Sequence, residues 1–210
     1  MIKTIVAVTS ILLFFSCGKN KSEEKEPGLL DLIENVSDLN KIADEVQQIE
    51  EDGSQLEKST PISNELLRAI IPESLPEYSR KKIAIGNQLI PDISMAEAKY
   101  ENENGDRIHF SIMDGAGETG SAMIAFARMG FSRDFEEETD TGYKKSSTIN
   151  GYKGVEEVIN NDYDNTTDTK IELLISKRFL ITLEGNRLSV DKLKDFLDEF
   201  DLKELEKLAK

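Results

Sequence analysis

Residues 94–112 read Ser-Met-Ala-Glu-Ala-Lys-Tyr-Glu-Asn-Glu-Asn-Gly-Asp-Arg-Ile-His-Phe-Ser-Ile. In an extended chain Ala96, Ala98 and Tyr100 fall on one face, and Glu97, Lys99 and Glu101 on the other. Beyond Asn104-Gly105, Ile108, Phe110 and Ile112 alternate with Arg107, His109 and Ser111. A period of two marks a strand with one dry and one wet face. Asn-Gly between two such runs predicts a hairpin closed by a type I′ turn, which needs positive φ at both central residues. The dipeptide recurs at Asn150-Gly151, between runs at 143–149 and 152–159. Further strands are predicted at 169–176, with Ile171, Leu173 and Ile175 on one face, and at 179–184. Hairpin-linked strands with one wet face predict an antiparallel sheet, its other face covered by helices.

The helices follow from longer periods. Ser63 can cap a short helix over 64–71, with Pro72 after it. One helix is predicted over Ser121–Met129 and a last one over Val190–Leu208, striped by Leu193, Phe196, Leu197 and Phe200. The expected fold class is α+β, a helix-packed antiparallel sheet spanning 63–208. An amphipathic helix at 29–51 precedes it, its seam formed by Leu29, Leu32, Val36, Leu39, Ala43 and Val46 and its end set by Asp52-Gly53. That heptad seam fits packing on its own domain or coiled-coil pairing with an envelope protein partner. The run Ile149-Asn-Gly-Tyr-Lys-Gly-Val155 and the strand Lys177-Arg-Phe-Leu-Ile-Thr-Leu183 before a last helix resemble PsbP-like α+β sandwiches and small envelope lipoproteins. The resemblance implies a shape and transfers no functional residue.

The N-terminus has its own pattern. Lys3 is followed by an apolar run from Ile5 to Phe15, then Ser16, Cys17 and Gly18. A positive start, a short apolar core and a small residue at the cut describe a secretory signal peptide over 1–16. The run is too short, at about 1.5 Å rise per residue, to span a ~30 Å hydrocarbon core. Phe14-Phe15-Ser16-Cys17 resembles a lipobox, departing from its commonest form in having Phe at the first two places. The resemblance implies cleavage before Cys17 and a diacylglyceryl group on it, hence palmitate-type chains. Gly18 is not the Asp that retains some lipoproteins in the inner membrane, which implies the outer membrane of the cell envelope, on its periplasmic face or at the cell surface. Each buried CH₂ of an acyl chain adds ~0.8 kcal/mol of membrane affinity, and two chains anchor stably. Residues 18–28 carry no apolar side chain but Pro27 and form a tether with Cys17, roughly 17–20 Å in root-mean-square span.

Composition narrows the rest. A formal net charge of −15 over 210 residues makes an acidic protein that repels nucleic acid, whose binding needs cationic contacts to phosphate. Cys17 is the one cysteine, so disulfides, thiolate metal sites and cysteine nucleophiles are excluded from the rest of the chain.

Four patterns bear on chemistry. Gly115-Ala-Gly-Glu-Thr-Gly120 is a G-x-G-x-x-G between a strand and a helix, the arrangement that cradles a pyrophosphate in dinucleotide-binding domains. Against it stand the wet face of its strand, the hairpins around it and the charges of Asp114 and Glu118; a strand-to-helix turn is the plainer reading. His109 falls on the polar face without an orienting carboxylate nearby in sequence and reads as a surface histidine. Asn160–Asp168 is rich in oxygen ligands, but the places where a calcium loop needs Gly and a bidentate Glu hold Thr167 and Leu173. The carboxylates of Asp134–Asp140 have no apolar frame and read as a solvated loop. No catalytic, cofactor-binding or metal residue is assigned; the single site residue is Cys17, for lipidation. The sequence therefore predicts a membrane-anchored envelope lipoprotein with a soluble, non-enzymatic binding or structural domain. The alternatives are an adaptor acting through helix 29–51 and a nucleotide-dependent enzyme using Gly115–Gly120.

Overall fold

Alternation along the chain becomes one sheet. A computed structural model describes residues 43–44, 46–86, 92–163 and 165–209. The signal peptide, Cys17, the tether and the 29–42 part of the N-terminal helix lie outside the described residues. The strands are β1 (Ser74–Leu75), β2 (Tyr78–Ile85), β3 (Ser94–Glu101), β4 (Arg107–Asp114), β5 (Glu136–Thr139), β6 (Gly142–Ile149), β7 (Tyr152–Asn161), β8 (Thr166–Ile175) and β9 (Phe179–Asn186). Their order is β1-β2-β3-β4-β9-β8-β7-β6-β5, and every neighbouring pair is antiparallel. Two meanders thus meet at the centre, where Ile112 of β4 pairs with Ile181 of β9. The fold is α+β with an antiparallel sheet, as the hairpin signals require.

The helices are α1 (helical at 43–44 and 46–57), α2 (Asn64–Ile70), α3 (Glu118–Phe131), α4 (Val190–Leu197) and α5 (Leu202–Leu208). Ala96, Ala98, Tyr100, Ile108, Phe110 and Ile112 lie on the dry face with Ile171, Leu173, Ile175 and Ile181, all buried. Leu67 of α2, Leu193 and Leu197 of α4 and Leu205 of α5 close over them. Each such side chain contributes roughly 1.5–3 kcal/mol on full burial. Phe110 stacks on Phe200 with ring centroids 4.0 Å apart. Burial pushes the Tyr100 hydroxyl up to about 12, so it stays protonated and donates to the Pro72 carbonyl at 2.8 Å.

Four expectations need correction. Helices pack on both faces, because the wet face carries one apolar row, Met95, Met113, Leu180 and Leu174, that takes Ile124 of α3 and Leu56 of α1. Helix α1 does not stop at Asp52-Gly53 but continues to Glu57. A helical glycine costs ~1 kcal/mol relative to alanine, offset here by Leu56 packing and by the Asp52 carboxylate, which meets Arg128 at 2.7 Å and Lys177 at 3.0 Å. Burial works to raise that carboxyl's pKa, and the two cations outweigh it and hold it below the usual value. The last helix breaks in two because Asp201 caps α5 by accepting from the Glu204 amide at 3.0 Å, while Phe200 turns into the core. Finally, only Asn150-Gly151 forms the predicted turn, with φ of 53° and 86°. At Asn104-Gly105 only the glycine has positive φ, because Asn102 Oδ1 accepts from the amides of Asn104 and Asp106 and draws the loop out to 102–106. Ser63 caps α2 as expected, accepting from the Leu66 amide.

Candidate functional site

The wet face is covered at one end only. Beyond the apolar row under α1 and α3 lies a row of Glu97, Ser111, Thr182 and Glu172 from four adjacent strands. The next row is built entirely of ionisable side chains. Strand pairing sets Lys82 of β2 opposite Lys99 of β3, Lys99 opposite His109 of β4, and His109 opposite Glu184 of β9. The row continues through Lys170 of β8, Glu157 of β7 and Lys144 of β6. Strands stand about 4.8 Å apart, so each member can touch the next. From Glu184 onward the signs alternate, and Lys144 lies 3.3 Å from Glu157. Lys170 turns along its own strand to Glu172 at 2.9 Å.

An open cavity of about 670 Å³ lies over this row. Lys82, Lys99, Arg107, His109, Asp168 and Lys170 line it. The Asp168 carboxylate is fixed by the side-chain amides of Asn186 at 2.7 Å and Asn161 at 3.2 Å. Such a volume is of the size that takes a small organic ligand.

His109 is half-buried rather than a plain surface residue, with 34% of its side chain exposed. Its Nδ1 is 3.4 Å from Glu184 Oε2 and its Nε2 is 3.7 Å from Glu97 Oε2. Register brings in both carboxylates from neighbouring strands, which inspection of the local sequence missed. A histidine that activates a hydroxyl needs one nitrogen toward the nucleophile; here both ring nitrogens face carboxylates. Ser111, on the same face of β4, has Thr182 as its cross-strand neighbour.

The glycine motif is built into the frame. The Gly115 amide donates to the Arg178 carbonyl at 2.9 Å, Ala116 to Asp114 Oδ1 at 3.0 Å, and Gly117 to the Leu56 carbonyl at 2.9 Å. These are the groups that would face a pyrophosphate. A Cβ on Gly115 would meet Ile124 Cγ1, and one on Gly120 would lie 2.8 Å from the Asp114 carbonyl oxygen, so close helix–strand packing accounts for both. Beneath them Asp114, fully buried, takes two charge-assisted bonds from Arg178, at 2.7 and 2.8 Å. Asp114 also accepts from the Ile62 amide, and Arg178 donates to the carbonyls of Thr60 and Leu208. One ion pair therefore ties β4 and the β8–β9 turn to the α1–α2 connection and the end of α5.

The remaining patterns separate. Asn160–Asp168 spans the β7–β8 hairpin, with Leu173 in the core, unable to serve as a ligand. Glu136–Glu138 lie exposed on β5, at the edge of the sheet. Among the described residues no helix is long and apolar enough to cross a membrane.

Comparison with known proteins places these features beside little else. The chain matches no protein-family model and no curated protein. Among solved structures, a GTP binding regulator from Thermotoga maritima is similar over 67% of this chain and 87% of its own, with 14% identity and a TM-score of 0.34.

Proposed function

We propose that this protein is an envelope lipoprotein that lipid on Cys17 anchors to the outer membrane, and that its α+β domain holds a ligand in the open groove without transforming it. The observation that carries the binding half is the uncovered end of the wet face, where charged side chains line a cavity of about 670 Å³. With Nδ1 on Glu184 and Nε2 turned to Glu97, His109 presents no ring nitrogen to a nucleophile, which favours binding over catalysis. The anchoring half rests on the positive, apolar and small-residue sequence ending at Cys17.

Intact-mass measurement on the full chain recovered from cell membranes tests the anchor. The expected species begins at Cys17 and carries a diacylglyceryl group, and Cys17→Ser abolishes both cleavage and lipid. An uncleaved or unlipidated wild type contradicts the reading. So does robust turnover in a broad hydrolase screen that one groove substitution removes.

A second reading, an adaptor working through helix 29–51, is favoured by α1 itself. Ala43 and Val46, the seam residues among those described, are exposed, Val46 by 45%. Ile49, Asp52 and Leu56, set at helical spacing, are only part-exposed. The predicted seam thus stays open to a partner along the described part of the helix.

A further inference from the structure

We infer that the groove's β2–β4 end is a binding site for an anionic oxygen group of the phosphate class, held by Lys82 and Lys99 with His109 and Arg107 beside them. The inference rests on the groove being the working site and names the chemistry at one end of it.

The charged row alternates in sign everywhere except there. Lys82, Lys99 and His109 stand directly opposite one another on three adjacent strands. Like charges directly opposite across a sheet destabilise it. Elsewhere on the row Lys144 and Lys170 have carboxylates at 3.3 and 2.9 Å. Lys82 and Lys99 make no ion pair or side-chain hydrogen bond among the described residues, and both are exposed into the cavity. Among the described residues Arg107, one row out on β4, reaches only the neutral Asn186 Oδ1, at 3.4 Å.

Acidic residues outnumber basic ones 41 to 26, so lysines facing one another without a carboxylate between them run against the composition. Two exposed lysines on paired positions, one strand spacing apart in the backbone, can each donate to a different oxygen of one oxyanion. His109 lies beside them with its ring nitrogens turned to Glu97 and Glu184, so the two lysines are the donors. The titratable groups facing His109 from neighbouring strands are thus Lys99, Glu97 and Glu184.

Free phosphate and a lipid phosphate headgroup share this chemistry, so the test uses both. The full chain, ¹⁵N-labelled in nonionic detergent, is titrated with inorganic phosphate and separately with phosphatidylglycerol vesicles. Saturable shifts at Lys82, Lys99 and His109 are expected with one of the two, and that one identifies the source. The double variant Lys82→Gln, Lys99→Gln is expected to weaken binding by roughly a hundredfold, tenfold for each charged hydrogen bond lost. Its melting temperature in chloride is expected to exceed that of the wild type, since the repulsion is gone, and phosphate is expected to raise the melting temperature of the wild type only. No saturable shift with either probe overturns the inference. So does binding that the double variant retains; if its shifts map to Asp168, Lys170 and Glu157, the groove still binds and only the anion end is wrong. A double variant that fails to fold is replaced by Lys99→Gln alone, for which unchanged affinity overturns the inference.

Discussion

At the scale of single residues, two buried charge contacts tie the fold together. The Asp114–Arg178 pair joins segments far apart in the chain, and removing one partner strands the other charge in the interior. Arg178→Met is expected to cost about 3–5 kcal/mol in urea unfolding. Asp114→Leu with Arg178→Met is expected to cost less than the two single changes together, because neither charge is then left alone. A loss under about 1 kcal/mol for Arg178→Met contradicts the role assigned to the pair. The second contact is Glu156, buried, with Lys194 at 2.6 Å and Lys145 at 3.3 Å. Burial works to raise the Glu156 pKa, and the two ammonium groups reverse it and hold the carboxyl below its ordinary 4.5. A depressed folded-state pKa adds stability above the unfolded value, lost as pH falls through the folded one. Unfolding at several pH values is therefore expected to show Lys194→Met weakening the protein at pH 7 and little at pH 2. An equal loss at both pH values excludes the linkage.

At the scale of elements, α3 is seated by its glycines. Gly115→Ala would push a methyl into Ile124 and to 2.8 Å from the Arg178 carbonyl. A cost of about 1–3 kcal/mol is expected from overpacking, with the strongest change in amide exchange along α3. Undisturbed α3 exchange contradicts the packing role and returns the glycines to consideration as a ligand loop. For the 29–51 helix, the adaptor reading predicts that Leu32→Asp with Leu39→Asp abolishes an association in cells and leaves the melting temperature unchanged. A lowered melting temperature with no lost partner would show that the seam packs on its own domain. The acidic β5 has a plainer account: three exposed carboxylates at a sheet edge discourage pairing with another chain.

At the scale of the molecule, the sheet is dry on one face and half-covered on the other. The dry face was legible because period-two alternation needs no knowledge of strand order; Ala96 through Ile112 and Ile171 through Ile175 lie in the core as read. Partial cover of the wet face was legible in principle from Met95, Met113, Leu174 and Leu180, but those residues are aligned only once β4 and β9 pair. The charged row was out of reach for the same reason. A bulge between Arg80 and Lys82 sets the β2 register that puts Lys82 against Lys99, and β4 meets β9 only after α3 carries the chain to the far edge. His109 likewise gains Glu97 and Glu184 through pairing, not through sequence proximity.

The central claim is that the open end of the wet face is occupied when the protein works. Lysine acylation, read by mass spectrometry in intact cells and again on the purified full chain, tests it most directly. Lys82, Lys99 and Lys170 are expected to react several-fold more slowly in cells, while Lys192 and Lys203, outside the groove, react alike in both. Equal reactivity of all five in the two settings would mean an empty groove and would contradict the account.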